Sequence, residues 1–299
     1  MTPRRPAPDP RFRDPDCLFY GLGAQKAGTT WLHDYLSGHP QVKVPPLFKE
    51  QQYWNHVRPP FDAHILPDRP VPRAWEVAKT RLWPLLKRDA ATAQWAARQR
   101  AVARPRPDHR DHATALMAGW RGERAVGEIT PGYARLTSDS FAEMAALSAN
   151  TRFFFVMRDP VGRALSAARM MARLPGAGQD AAAHLARALD GRDPALLDFS
   201  DYARTIRALE AAVPRARIAY FFYETLFDQA EVDRLCAHLG VASHPAETGK
   251  VVFSFAGEGE DLPQDMIDAV GARLAPVYAF LRGRADLPVP DSWRKVGAP

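Results

Sequence analysis

The residues whose type and spacing point most directly to chemistry lie between Leu18 and Leu32. An apolar run, Leu18-Phe19-Tyr20-Gly21-Leu22, reads as a buried strand. A short loop follows, Gly23-Ala24-Gln25-Lys26-Ala27-Gly28, and Thr29-Thr30-Trp31-Leu32 opens a helix. Strand, tight loop and helix N-terminus together cradle a phosphate, because unsatisfied backbone N–H groups and the helix dipole both face the anion. Gly28 permits close backbone approach, and Thr29 and Thr30 add hydroxyl donors. The spacing from Gly23 to Gly28 is that of an ATP-binding loop, yet Thr29 stands where that pattern requires lysine. The lysine, Lys26, lies inside the loop, two residues before Gly28. That position favours a group carried close to the first phosphate of a nucleotide over a β/γ-phosphate.

Two further clusters carry charge where chemistry is done. Phe48-Lys49-Glu50 places a lysine and a carboxylate just ahead of Tyr53 and Trp54. On spacing alone it also reads as a surface pair at a helix start, where glutamate is favoured. Arg152 to Met157 is a continuous apolar run of the kind found in central parallel strands. It ends in Arg158, followed by Asp159 as a helix N-cap and Pro160 at the first helical position. Arg158 thus falls at the carboxyl end of a strand, where open α/β sheets bind ligands. Ser166 lies about two turns into the helix. A capped helix with Arg158 in an ion pair is the plainer alternative.

Gln25-Lys26-Ala27-Gly28-Thr29-Thr30-Trp31-Leu32 closely resembles the 5′-phosphosulfate loop of sulfotransferases that use 3′-phosphoadenosine 5′-phosphosulfate (PAPS). The block from Arg158 to Ser166 resembles the 3′-phosphate motif of the same family. The resemblance implies that Gln25, Lys26, Ala27, Gly28, Thr29, Thr30, Trp31, Arg158 and Ser166 bind the nucleotide. Lys49-Glu50 is similar to a segment of the heparan-type carbohydrate branch, which implies Glu50 as general base and Lys49 on the acceptor side. Glu128-Ile129-Thr130-Pro131-Gly132-Tyr133 is similar to a cleft-lining segment, which implies Thr130 and Tyr133 as acceptor-binding residues. Glu128 itself is either a buried supporting carboxylate or a strand-edge charge. Lys250 matches the basic residue of a loop that closes over the nucleotide, although Glu258, Glu260 and Asp261 make the loop acidic here.

The implied reaction moves a sulfuryl group from PAPS to a hydroxyl or amine of a carbohydrate or small-molecule acceptor. It leaves 3′-phosphoadenosine 5′-phosphate and needs no metal. Two alternatives stand beside it. A P-loop kinase would need a lysine after Gly28 and a magnesium-binding carboxylate. A non-catalytic polyanion-binding module would use the segment 55–125, which holds 14 Lys/Arg and 7 Asp/Glu. An excess of this kind concentrates anions locally. No nucleic-acid motif accompanies it, so nucleic acid is not an expected partner.

These residues need an α/β scaffold to position them. Strand and helix patterns alternate along the 299 residues, which predicts a P-loop-like three-layer α/β/α fold with a central parallel sheet. Residues 1–16 read as a flexible tail and 17–299 as one domain, with a helical insertion at about 55–124. That insertion reads equally as an acceptor-binding cap or as a helical layer on the sheet. Helices are predicted over about 28–37, over the alanine-rich 90–103, over 139–149, over 178–213 with another helix starting at Phe199-Ser200-Asp201-Tyr202, and over 263–281, and short strands at 42–44, 125–130 and 217–224. Of 40 basic residues only seven are lysines, so each retained lysine is informative as a mobile, titratable point charge. The two cysteines, Cys17 and Cys236, are expected to be buried thiols. No apolar run approaches the about 18 residues of a membrane span, and the first 16 residues lack a secretory h-region. The corresponding expectation is a cytoplasmic protein.

Overall fold

The computed structural model describes residues 6–45, 47–57, 90–174, 180–247 and 262–294. Five strands form one parallel sheet in the order β2-β3-β1-β4-β5. They are β1 Cys17–Gly21, β2 Val42–Lys43, β3 Ala125–Ile129, β4 Thr151–Met157 and β5 Ile218–Phe222. Helices flank the sheet, which is the three-layer α/β/α architecture expected from the alternation of patterns. A parallel sheet covered on both faces needs strands apolar on both faces. Phe153, Phe154, Phe155, Val156 and Met157 of β4 are all fully buried, as are Phe19 and Tyr20 of β1. Phe19 stacks on Phe154, which meets Phe221 edge-on, so an aromatic seam runs across β1, β4 and β5. Gly127 of β3 makes room for this seam, since a Cβ there would lie 2.1 Å from the Phe19 carbonyl oxygen.

Four of the described helices start where a short polar side chain caps them, at Thr137, Asp159, Asp180 and Asp201. α1 spans Thr29–Gly38, α2 Tyr53–Val57, α3 Ala90–Ala103, α4 Arg110–Leu116 and α5 Ser138–Ala145. After β4 come α6 Pro160–Ala172, α7 Ala181–Leu189, α8 Ala195–Asp198 and α9 Tyr202–Glu210. After β5 come α10 Gln229–Leu239, α11 Gln264–Arg282 and α12 Asp291–Arg294. Asp159 caps α6 by accepting from the Gly162 amide at 2.7 Å, with Pro160 at the first position as predicted.

Four sequence expectations shift. Within the stretch read as a flexible tail, Pro10–Arg13 form a 3-10 turn capped by Asp9, with Phe12 buried in the core. The helical region predicted over 178–213 holds α9 at the start expected near Asp201, but its earlier part divides into α7 and α8, separated by Gly191 and Pro194. The helix expected to reach 149 ends at Ala145. Val44 lies beyond β2, which is only two residues long. Cys17 and Cys236 are buried free thiols, and burial pushes the Cys17 thiol up to about 12. Among the described residues no helix is long and apolar enough to cross a membrane.

Candidate active site

β1 is the centre of the sheet, with β3 on one side and β4 on the other. From β1 the chain runs to β2 on one side, and from β3 it crosses β1 to β4 on the other, so the carboxyl end of β1 is a topological switch point where a crevice opens. The loop 23–28 fills that position. It continues the β1–β4 pairing past the strand end: the Leu22 amide donates to the Phe154 carbonyl at 2.9 Å and the Val156 amide to the Gly23 carbonyl at 2.7 Å. Three loop residues occupy the left-handed backbone region, Gly23 (φ 113°), Lys26 (φ 68°) and Gly28 (φ 77°). Such a conformation is unusual for a lysine and persists only where its surroundings hold it, a feature that clusters at ligand sites.

What holds Lys26 is partly Arg158, whose Nη1 donates to the Lys26 carbonyl oxygen at 3.1 Å. The Arg158 guanidinium lies over the Tyr223 ring at 4.6 Å from its centroid. Its backbone is fixed by Tyr202, whose hydroxyl donates to the Arg158 carbonyl at 2.8 Å. The Asp159 amide donates to Glu224 at 3.0 Å, and Tyr278 donates to the Asp159 carboxylate at 2.7 Å. The strand end after β4 is thereby framed by groups from α9, α11 and the turn after β5.

Lys49 approaches the same loop from another side. Its Nζ donates to Thr29 Oγ1 at 3.0 Å and to Thr30 Oγ1 at 2.9 Å, across the N-terminus of α1. Burial lowers its pKa. Lys26 is shifted further, to about 8, first by burial and then by repulsion from Arg158, Lys49, Arg163 and Arg173. Lys26, Lys49 and Arg158, from three segments of chain, thus gather around one helix N-terminus, at a cost that an anion would relieve.

Glu50 follows Lys49, and its Oε2 accepts from Gln52 Nε2 at 2.7 Å. Beneath this turn lies Glu128 of β3, with none of its surface exposed. It accepts from Thr130 Oγ1 at 2.7 Å, from the Tyr133 hydroxyl at 3.1 Å on both oxygens and from the Gln51 amide at 3.2 Å. Burial raises its pKa to about 7 against the opposing effect of these hydrogen bonds. Helix α3 from the 55–124 segment packs on the same turn. Gln94 of α3 accepts from the Leu47 amide at 3.1 Å, and the Arg98 guanidinium sits over the Phe48 ring at 4.6 Å.

A protein-family model described as "Sulfotransferase family" matches residues 19–245, more than half of the chain. The chain belongs to the sulfotransferase family. The matched span includes the Lys26 loop, the Lys49-Glu50 turn and the Arg158 strand end. A solved sulfotransferase from Alicyclobacillus acidocaldarius is similar at 22% identity with a TM-score of 0.65, covering 94% of this chain and 99% of that one. The sulfotransferase domain of the Synechococcus PCC 7002 olefin synthase is similar at 18% identity and TM-score 0.53, covering 100% and 92%. At these identities the two structures establish the fold alone. No curated protein matches the sequence.

In this sulfotransferase the sequence-predicted residues divide into three groups. Gln25, Lys26, Ala27, Gly28, Thr29, Thr30, Lys49 and Arg158 come together at the helix N-terminus, and Trp31 continues from them into α1. Trp31 is nearly buried, stacked on Tyr35 and touched edge-on by Phe227 at 5.1 Å. Ser166 is also nearly buried, two turns into α6. Thr130 and Tyr133 depart from the expectation that they face an acceptor. Both are fully buried with their hydroxyls directed at Glu128, so neither reaches the crevice in this structure. Lys49, expected on the acceptor side, points to the phosphate loop instead. Lys250 and the acidic loop at 257–261 lie outside the described residues. Sequence reading missed Tyr223 and Phe227. Their only signal was an aromatic pair just past a strand end. A hollow of about 350 Å³ borders Trp31, Asp34, Tyr35 and His244. It takes in no other residue of the loop, and so does not mark the place where the cations converge.

Proposed function

We propose that the chain transfers a sulfuryl group from PAPS to a hydroxyl or amine of a carbohydrate or small-molecule acceptor. The observation that supports this most is the convergence of Lys26, Lys49 and Arg158 on the N-terminus of α1. The donor set fits an adenosine carrying phosphates at two positions. Lys26, Lys49, Thr29, Thr30 and the α1 amides hold the 5′ end. Arg158 and Ser166 hold the 3′-phosphate, and Trp31 lies against the adenine.

When bound, PAPS supplies a sulfuryl group whose leaving group is a phosphate. The protein's own contribution is positioning and electrostatics. Glu50 accepts the acceptor's proton as the nucleophile attacks sulfur in line. Lys26 neutralises charge developing on the bridging oxygen, a role that asks for a lysine held close to the 5′-phosphate. Its raised readiness to lose a proton is reversed when an anion arrives beside it.

Release of 3′-phosphoadenosine 5′-phosphate from PAPS, followed with a panel of hydroxyl and amine acceptors, tests this reading. Lys26→Ala and Glu50→Ala should each reduce turnover by about 10²-fold or more. Near-normal turnover in Lys26→Ala contradicts the mechanism.

A further inference from the structure

Glu128 is a carboxylate buried where packing alone would place an apolar residue. Burying an ionised group is costly unless several donors face it. Three donors do: the Gln51 amide and the Thr130 and Tyr133 hydroxyls, with His112 Nε2 of α4 lying 3.4 Å from Oε1 without a hydrogen bond to it. A carboxylate accepts at both oxygens, whereas an amide of the same shape presents donors on one side. The donor that carries consequence is Gln51, the residue after Glu50. Its amide is shared between Glu128 Oε2 at 3.2 Å and Thr130 Oγ1 at 3.1 Å.

Gln51 in turn shapes the segment before it. Its side chain is almost wholly buried, and Nε2 donates to the Phe48 carbonyl at 2.6 Å, closing a turn around Lys49 and Glu50. Gln52 then takes a left-handed conformation (φ 60°) that brings its amide group onto Glu50. An unbroken path therefore runs from a fully buried strand, through Glu128 and Gln51, to Lys49 on the phosphate loop and to Glu50.

We propose that Glu128, with Thr130, is a positioning element of the transfer site: its buried carboxylate fixes the Gln51 amide and so sets where the turn presents Lys49 and Glu50. This deepens the reading of Glu50 as the general base and rests on it for its catalytic consequence. Misplacement of a reacting group by about 1 Å can cost about 10²-fold in rate, so a clamp on this turn acts on turnover without touching the acceptor.

The test combines hydrogen exchange at the Gln51 amide with turnover, read as 3′-phosphoadenosine 5′-phosphate released from PAPS. In Glu128→Gln the Gln51 amide should exchange about tenfold faster or more. Turnover should fall about tenfold, by more than affinity for the bisphosphate falls. Thr130→Val should do the same and Thr130→Ser, which keeps the hydroxyl, should restore both, so the inference stays testable if Glu128→Gln does not fold. Unchanged Gln51 exchange in Glu128→Gln and Thr130→Val overturns the proposal. So does faster exchange with turnover within about twofold of wild type. Glu50→Ala separates the two readings: undiminished turnover there removes the base assignment, while the Gln51 exchange still decides the clamp.

Discussion

At the scale of single residues the site is governed by what a lysine does among other cations. Lys26 is held near a pKa of about 8 by burial and by four like charges. Binding a phosphate beside it must raise that value, so binding takes up protons. Affinity for 3′-phosphoadenosine 5′-phosphate should therefore fall as pH rises through about 8. Calorimetry at pH 8 in two buffers of different ionisation enthalpy should show proton uptake, and uptake should vanish in Lys26→Ala. The unliganded protein carries the same signature in its stability. The penalty on the lysine cation is in full force below about 8. It is relieved as pH rises towards 10.5, where the lysine of the unfolded chain also loses its proton. Lys26 was legible in the sequence because its position within a six-residue loop is itself unusual. The direction of Lys49 was not, since it depends on the turn through Gln51 and Gln52, which no local pattern encodes. Thr130 and Tyr133 were read as cleft residues because their motif lies at a strand end. Their hydroxyls turn inward to satisfy Glu128, a buried group that sequence alone left undecided between two roles.

At the scale of elements, short loops between rigid strands do the positioning. Gly28 sits at φ 77° as the N-cap of α1, and a Cβ there would lie 3.1 Å from Leu226 Cδ2 and 3.2 Å from Tyr223 Cδ2. Gly28→Ala should cost about 1–2 kcal/mol for the left-handed backbone alone, seen as a lower denaturation midpoint, and it should weaken bisphosphate binding. Gly127→Ala tests the sheet beneath the site. With its Cβ driven against the Phe19 backbone and ring, it should destabilise by about 1–3 kcal/mol or more. Measured by urea unfolding, no loss of stability would contradict the packing described for β1 and β3. The strands and caps were legible because they follow local rules: the apolar run of β4, the Asp159-Pro160 start of α6, and the span of α3, predicted from alanine content at 90–103. Within 178–213 the start at Asp201 was legible as a cap, whereas the four-residue α8 was not, because a single turn between Pro194 and Phe199 is too short to carry a periodic pattern.

At the scale of the whole molecule, parallel order β2-β3-β1-β4-β5 draws the Lys26 loop, the Arg158 strand end and the Lys49 turn to the carboxyl end of the sheet. These three stretches are far apart in the chain, and their meeting followed from topology as soon as alternating strands and helices implied a parallel sheet. The segment 55–124 was the least legible part. Its described helix α3 packs on the Lys49–Glu50 turn and α4 packs on α3 and on Glu128 of β3, tertiary roles with no local signature. On the proposed reading the ligand bridges segments from both halves of the sheet, so it should stabilise the fold as a unit. Bisphosphate at a hundredfold its Kd should add about 2.7 kcal/mol to the unfolding free energy, visible as a raised Tm.

The most direct measurement is a calorimetric titration of the protein with 3′-phosphoadenosine 5′-phosphate and, separately, with ATP and Mg²⁺, with Arg158→Ala beside the wild type. The account predicts Kd for the bisphosphate at micromolar order, a marked loss in Arg158→Ala and no comparable binding of ATP. No bisphosphate binding, or ATP binding of equal strength, would contradict it.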